Sequence, residues 1–172
     1  MNLHKQLLPL ILFFLTVSAL AQSTEKPFWE AFPKPDKWVT DHEDIFTDSQ
    51  ELALIEMVTA YEKKTGVSII IVTLNSPKGL DQLTVDIATQ WLAPKKVADN
   101  SILIAISKGM HRMRIQNGNK IKETISDAET KDIINNVFVP EFQKNNYFEA
   151  TSNGIMAISK QLKHLEKSVT DK

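Results

Sequence analysis

Two carboxylates, Asp99 and Asp127, bracket a segment that reads as strand, tight turn and strand. Asp99-Asn100 precedes the apolar run Ser101 to Ser107, and Lys108-Gly109-Met110-His111 has turn composition. Arg112 to Gln116 then alternates charged and apolar side chains, as a half-exposed strand does. A glycine loop leads on to Asp127 at a helix start. Pairing of the two strands as a hairpin brings the beginning of the first beside the end of the second, so two acids remote in sequence share one rim of a sheet. Asp99, Asn100, Asp127 and the carbonyls around Gly118 are the oxygen donors that a hard cation such as Ca2+ or Mg2+ takes. Each also has a plain structural reading. Asp-Asn is an ordinary turn pair. An acid in a first helical turn is stabilised by about 0.3–1 kcal/mol with no ligand present.

A metal held by Asp99 and Asp127 would activate water for phosphoester hydrolysis, with Asp99 as the catalytic ligand and Lys120, Lys122 or Arg112 neutralising the phosphoryl oxygens. No glycine loop of the phosphate-cradling type is present, and no nucleophile stands beside a base. His4, His42, His111 and His164 show no ligand spacing, which argues against zinc. The absence of cysteine removes disulfides, thiol nucleophiles and thiolate sites together.

The elements that must position these residues follow from periodicity. Thr47 with Gln50 forms a capping box, and Leu54, Val58 and Tyr61 recur at helical spacing up to Gly66 in the C′ position. Val67 to Leu74 is nearly all apolar and β-branched, as a central strand covered on both faces must be. Asp81 to Leu92 reads as a second helix with Val85, Ala88 and Leu92 on one face and Pro94 as its stop. Ser126 with Glu129 opens a third, through Ile133, Ile134, Val137 and Phe138 to Pro140. A last helix carries Ile155, Ile158, Leu162 and Leu165. Helices alternating with buried strands predict an α/β chain folded as a three-layer α/β/α sandwich. Its sheet is mostly parallel with an antiparallel edge hairpin, and Arg112 and Arg114 guard that edge.

The N-terminus reads as an export signal over residues 1–21. Lys5 is its positive start, Leu7 to Val17 its apolar stretch, and Ala19-Leu20-Ala21 its cleavage site. An uncleaved anchor is the alternative. Removal deletes one lysine and no acid, leaving 19 basic and 21 acidic residues of the original 20 and 21. That balance argues against nucleic acid as a partner. The roughly 150 remaining residues suffice for one core. No later segment is apolar enough to span a bilayer, so the expectation is a periplasmic or secreted monomer. Residues 22–38 read as an extended linker in which Phe28, Trp29, Phe32 and Trp38 interleave with prolines, and they either pack on the domain or dock a partner. The domain spans 39–166, and residues 167–172 form a frayed tail.

The ordered set Val39-Thr40-Asp41, Gly66 to Thr73, Trp91, Asp99-Asn100, Arg112-Met113-Arg114-Ile115, Gly118, Asp127 and Val139-Pro140 resembles the TPM domain family, which includes a thylakoid-lumen acid phosphatase and many exported bacterial proteins. The resemblance implies an α/β/α sandwich, a divalent-cation site in some members and phosphatase activity in a few. It carries over Asp99, Asn100, Asp127 and the early Asp41 as site residues. Two departures stand out. Ser101 replaces the usual glycine after the Asp-Asn pair. The loop Gly118-Asn119-Lys120-Ile121-Lys122-Glu123 carries Lys122 at the family's acidic position, and Glu123 is the acid that a one-residue shift would supply. Glu43 and Asp44, beside Asp41, read as acids favoured before a helix start. The competing function is a non-catalytic module that binds another envelope protein, suggested by the aromatic arm and the basic loop.

Overall fold

A run of β-branched residues with no polar face needs cover on both sides, and the chain supplies it. In the computed structural model, which describes residues 38–76, 79–92 and 95–163, strand β1 is Val39–Asp41, helix α1 Asp48–Thr65 and strand β2 Ser68–Thr73. Helices α2 (Leu80–Trp91) and α3 (Lys95–Asp99) lead into strands β3 (Ser101–Ser107) and β4 (Arg112–Asn117). Helices α4 (Asn119–Lys122), α5 (Asp127–Ile133), α6 (Val139–Phe142) and α7 (Tyr147–Gln161) complete the chain. The sheet order is β1-β2-β3-β4, parallel except for the final antiparallel pair. All of β2 and β3 is buried.

Alternation divides the core into two. Ile69, Ile71, Ile102, Ile104 and Ile106 face α1, α5 and α7, while Ile70, Val72, Leu103 and Ala105 face α2. The expected three-layer sandwich is thus the observed one. Its strands advance in one direction across the sheet, yet α1 and α2 cover opposite faces. Two right-handed crossovers would put both helices on the same face, so one connection runs with the rare left-handed sense.

Both capping boxes form. Thr47 Oγ1 accepts from the Gln50 N–H and Gln50 Oε1 from the Thr47 N–H. Ser126 and Glu129 repeat the exchange at α5. Gly66 ends α1 at φ 71°, donating to the Glu62 carbonyl.

Three expectations are corrected. The inner face of α2 is Leu80, Leu83, Thr84, Ile87 and Trp91, and Val85 is exposed. Leu92 is buried, but just past the helix end. Pro140 does not stop its helix. Residues Ile134–Phe138 widen into a π turn, with the Val139 N–H bonding the Ile134 carbonyl, and Pro140 lies in the first turn of α6. A proline ring presses on the carbonyl four residues earlier and has no N–H to give; the wider turn accommodates both. The loop after β4 is one helical turn, α4, pinned by buried Ile121. The expected signal, the tail, Leu165, Pro94 and all of the linker but Trp38 lie outside the described residues. Trp38 packs against both core clusters and donates its Nε1–H to Glu62 Oε2 at 2.8 Å.

Phe138, fully buried, presses on Gly154 of α7, where a Cβ would sit 1.9 Å from the ring. Gly154→Ala should therefore lower unfolding stability by about 1–3 kcal/mol in urea, despite alanine's better helix propensity. An unchanged midpoint would show that the ring yields freely.

Candidate functional site

The β3–β4 register sets the geometry of the rim. Ile102 pairs with Asn117, so Ser101 lies opposite Gly118, whose N–H donates to the Ser101 carbonyl at 2.8 Å. Gly118 sits hard against the end of α3. A Cβ there would fall 2.1 Å from the Ala98 carbonyl oxygen and 2.5 Å from that of Asp99. Only glycine permits that approach. It brings Asn119 alongside, and Asn119 Nδ2 donates to Asp99 Oδ1 at 2.7 Å. Asp99, Gly118 and Asn119 line a shallow depression of about 160 Å³ with Val85 and Thr89 of α2.

Asn100 serves the turn. Its amide donates to the Gly66 carbonyl, and its own carbonyl accepts from the Ser68 N–H. Asp127 is exposed in the first turn of α5 and lines a second depression, of about 490 Å³, with Asp81, Arg114, Lys122 and Thr130. Gln116 and Asn117 border both depressions. The hairpin thus sets Asp99 and Asp127 around one end of β4, in adjacent hollows. Glu123 is exposed at the end of α4 and lines neither. Asp41 is elsewhere. It pairs with Thr73 at the far end of β2, five residue steps from Ser68 and the Asp99 rim, or roughly 16 Å. Among the described residues no three His, Cys, Asp or Glu side chains gather as a metal-holding group.

At that far end the chain leaves β1 and β2 toward opposite faces, the arrangement that opens a ligand crevice in open α/β sheets. Here protein groups fill it. Asp41 accepts from the Thr73 hydroxyl and from the Phe46 N–H, the latter at 2.7 Å. Glu43, read as bland from sequence, accepts the Lys108 and Gly109 N–H groups at 2.9 and 3.0 Å and locks the hairpin tip to the β1 loop. No sequence signal joins residues 65 positions apart; only the register does. Beside this seam lies a cavity of about 240 Å³ lined by Ser107, His111, Arg112, Phe142, Gln143 and Tyr147 among others. Burial, and then the nearby Glu43 charge, push the Tyr147 hydroxyl above its ordinary pKa of 10.0.

A protein-family model described as the TPM domain matches residues 39–161. The chain belongs to the TPM domain family. The fold recurs in solved structures. The N-terminal domain of a protein from P. gingivalis is 25% identical at a TM-score of 0.68, covering 74% of this chain and 83% of that one. The N-terminal domain of the cg2496 protein from Corynebacterium glutamicum is 16% identical, with a TM-score of 0.57 over 73% and 79% of the two chains. The BA42 protein of the psychrophilic bacterium Bizionia argentinensis is 22% identical, with a TM-score of 0.53 over 70% and 86%. No functionally curated protein matches the chain. Among the described residues no helix is long and apolar enough to cross a membrane.

Because the Tyr147 pKa is raised in the fold, the neutral ring is the favoured form. Its contribution is complete below the unfolded value near 10 and disappears as pH rises through the folded value. Tyr147→Phe should flatten the loss of stability above about pH 10 in urea melts; an identical alkaline slope in both proteins would refute the assignment.

Proposed function

We propose that this TPM domain is exported and binds a divalent cation, Ca2+ or Mg2+, at the Asp99 rim. The observation that supports the reading is the Gly118 seat. It draws the end of β4 onto α3, so that the Asp99 carboxylate, the Asn119 amide and nearby backbone carbonyls meet in one hollow. Asn119 occupies Asp99 Oδ1, and Oδ2 has no protein donor among the described residues. Carboxylate, amide and carbonyl oxygens suit a hard cation, with water completing the shell. A single carboxylate gives weak binding, with a Kd in the range of about 10⁻⁴–10⁻³ M typical of extracellular modules. Asn100, Asp127, Glu123 and Asp41 contribute little on this reading. Asp127 and Glu123 lie outside the hollow, Asn100 bonds to Gly66, and Asp41 is at the other end of the sheet.

Such a cation lowers the pKa of bound water, which is the chemistry a metal-assisted phosphatase needs. Lys122 and Arg114, which line the adjoining depression across Gln116 and Asn117, and Lys120, next to Asn119, are the candidate phosphate-neutralising groups. A binding module without catalysis is the second reading, favoured by the open outer edge of β4.

Titration with CaCl2 and MgCl2 to about 10 mM, followed by amide chemical shifts, should move residues 98–101 and 116–120. Asp99→Asn should abolish the shifts while leaving the melting temperature without cation unchanged. A wild-type protein indifferent to both ions would sink the proposal. Hydrolysis of p-nitrophenyl phosphate, if present, should vanish with chelator and with Asp99→Asn.

A further inference from the structure

Backbone parity along β4 identifies which peptide groups look outward. The Gly118 N–H bonds Ser101, so Gly118, Gln116, Arg114 and Arg112 point their peptide groups inward to β3. Consistently, Ile106 and Asn100 turn their carbonyls the other way, to Leu74 and Ser68. Met113, Ile115 and Asn117 therefore present N–H and C=O away from the sheet. Their N–H groups find no acceptor among the described residues, and only the Asn117 carbonyl receives a side-chain bond, from Gln116 Nε2 at 3.3 Å. The side chains of Ile115 and Asn117 are held inward, by the core and by a 2.8 Å bond to Thr130 Oγ1, which fixes the strand's edge in place. Outward peptide groups on an edge strand form a ready template for pairing with another chain. Residues 113–117 all line the 490 Å³ depression, which lies open along the strand.

We propose that the outer edge of β4 receives an extended segment of a partner protein as a fifth strand, with acidic side chains alternating with apolar ones. Strand addition satisfies the three outward peptide groups, and side-chain pockets then select the sequence. Parity sets the selection. Residues beside Arg112, Arg114 and Gln116 project toward the α2 face, where opposite charges stabilise cross-strand pairs and like charges destabilise them. Residues beside Met113 and Ile115 project toward Ile134 on the other face. The edge carries Arg112, Arg114, Lys122 and Lys131 against Asp81 and Asp127, a net positive groove. The Arg112 and Arg114 pairs with Asp81 are exposed at 3.5 and 2.7 Å and exchange readily for a partner's carboxylates. The same arginines disfavour a second copy of this chain as the occupant.

The probe is the acetylated heptapeptide Thr-Val-Glu-Val-Glu-Val-Thr, titrated into the full chain and read by amide shifts. The shifts should be largest at Met113, Ile115 and Asn117. Replacing both glutamates with lysine should weaken binding at least tenfold, and Arg114→Glu should reverse that preference. N-methylating the valines or the glutamates should abolish binding for one set only, because alternate amides face the strand. Equal affinity of the acidic and basic peptides, shifts confined to other elements, or no shift at all would overturn the proposal. So would peptide-independent dimerisation through this edge in sedimentation velocity.

Discussion

One backbone hydrogen bond, from the Gly118 N–H to the Ser101 carbonyl, fixes most of what is distinctive here. It closes the open end of the β3–β4 hairpin and settles the parity of the whole edge strand. Through parity it decides that Ile115 faces the α1 and α7 side of the core and that Arg114 faces α2. A slip of one residue would exchange those two faces and bury arginines under the helices. The bond is possible because Gly118 has no Cβ to strike the carbonyls of Ala98 and Asp99. A local steric allowance is thereby turned into a long-range arrangement of charge.

The strength behind that register lies in β2 and β3. Both are apolar on each face and fully buried, so neither can shift without exposing isoleucine on one side or the other. Fully burying an isoleucine or valine is worth about 1.5–3 kcal/mol, far more than a surface ion pair. The Arg112–Asp81 and Arg114–Asp81 pairs therefore decorate an alignment that the core has already imposed. At the opposite end of the sheet, Asp41 and Glu43 play a polar counterpart. Their oxygens accept backbone N–H groups from the β1 loop and the hairpin tip, and so fill the crevice that the divergence of α1 and α2 would otherwise leave open.

The elements with local signatures were legible in the sequence. Thr47–Gln50 and Ser126–Glu129 announced two helix starts, and Gly66 announced a helix end. The β-branched run announced β2, and the alternation at Arg112 to Ile115 announced an edge strand. What depends on three-dimensional neighbours was not legible. Val85 and Leu83 are equally plausible inward residues until the sheet chooses a face. Pro140 breaks a helix only if no wider turn relieves it. The separation of Asp41 from Asp99 follows from strand order, on which periodicity is silent. The role of Glu43 needs the hairpin tip as a partner, and that tip lies 65 residues away.

Lys122, placed by the family resemblance where an acid is expected, acquires a physical meaning from the placement of its helix. It lines the depression along the β4 edge and not the hollow that holds Asp99. A cation's worth of charge at that position raises the positive potential of the edge, while Asp99, on the other side of Gln116 and Asn117, keeps a local surplus of oxygen donors. The two sets of charges lie in adjacent hollows that share Gln116 and Asn117 as their common border. The lysine thus sits with Arg114 and Lys131 on the α5 side of the strand end, apart from the oxygen-rich hollow that Asp99 and Asn119 form beside α3. Of the two border residues, Asn117 is buried, and its amide, bonded to Thr130 Oγ1 at 2.8 Å, ties this strand end to α5.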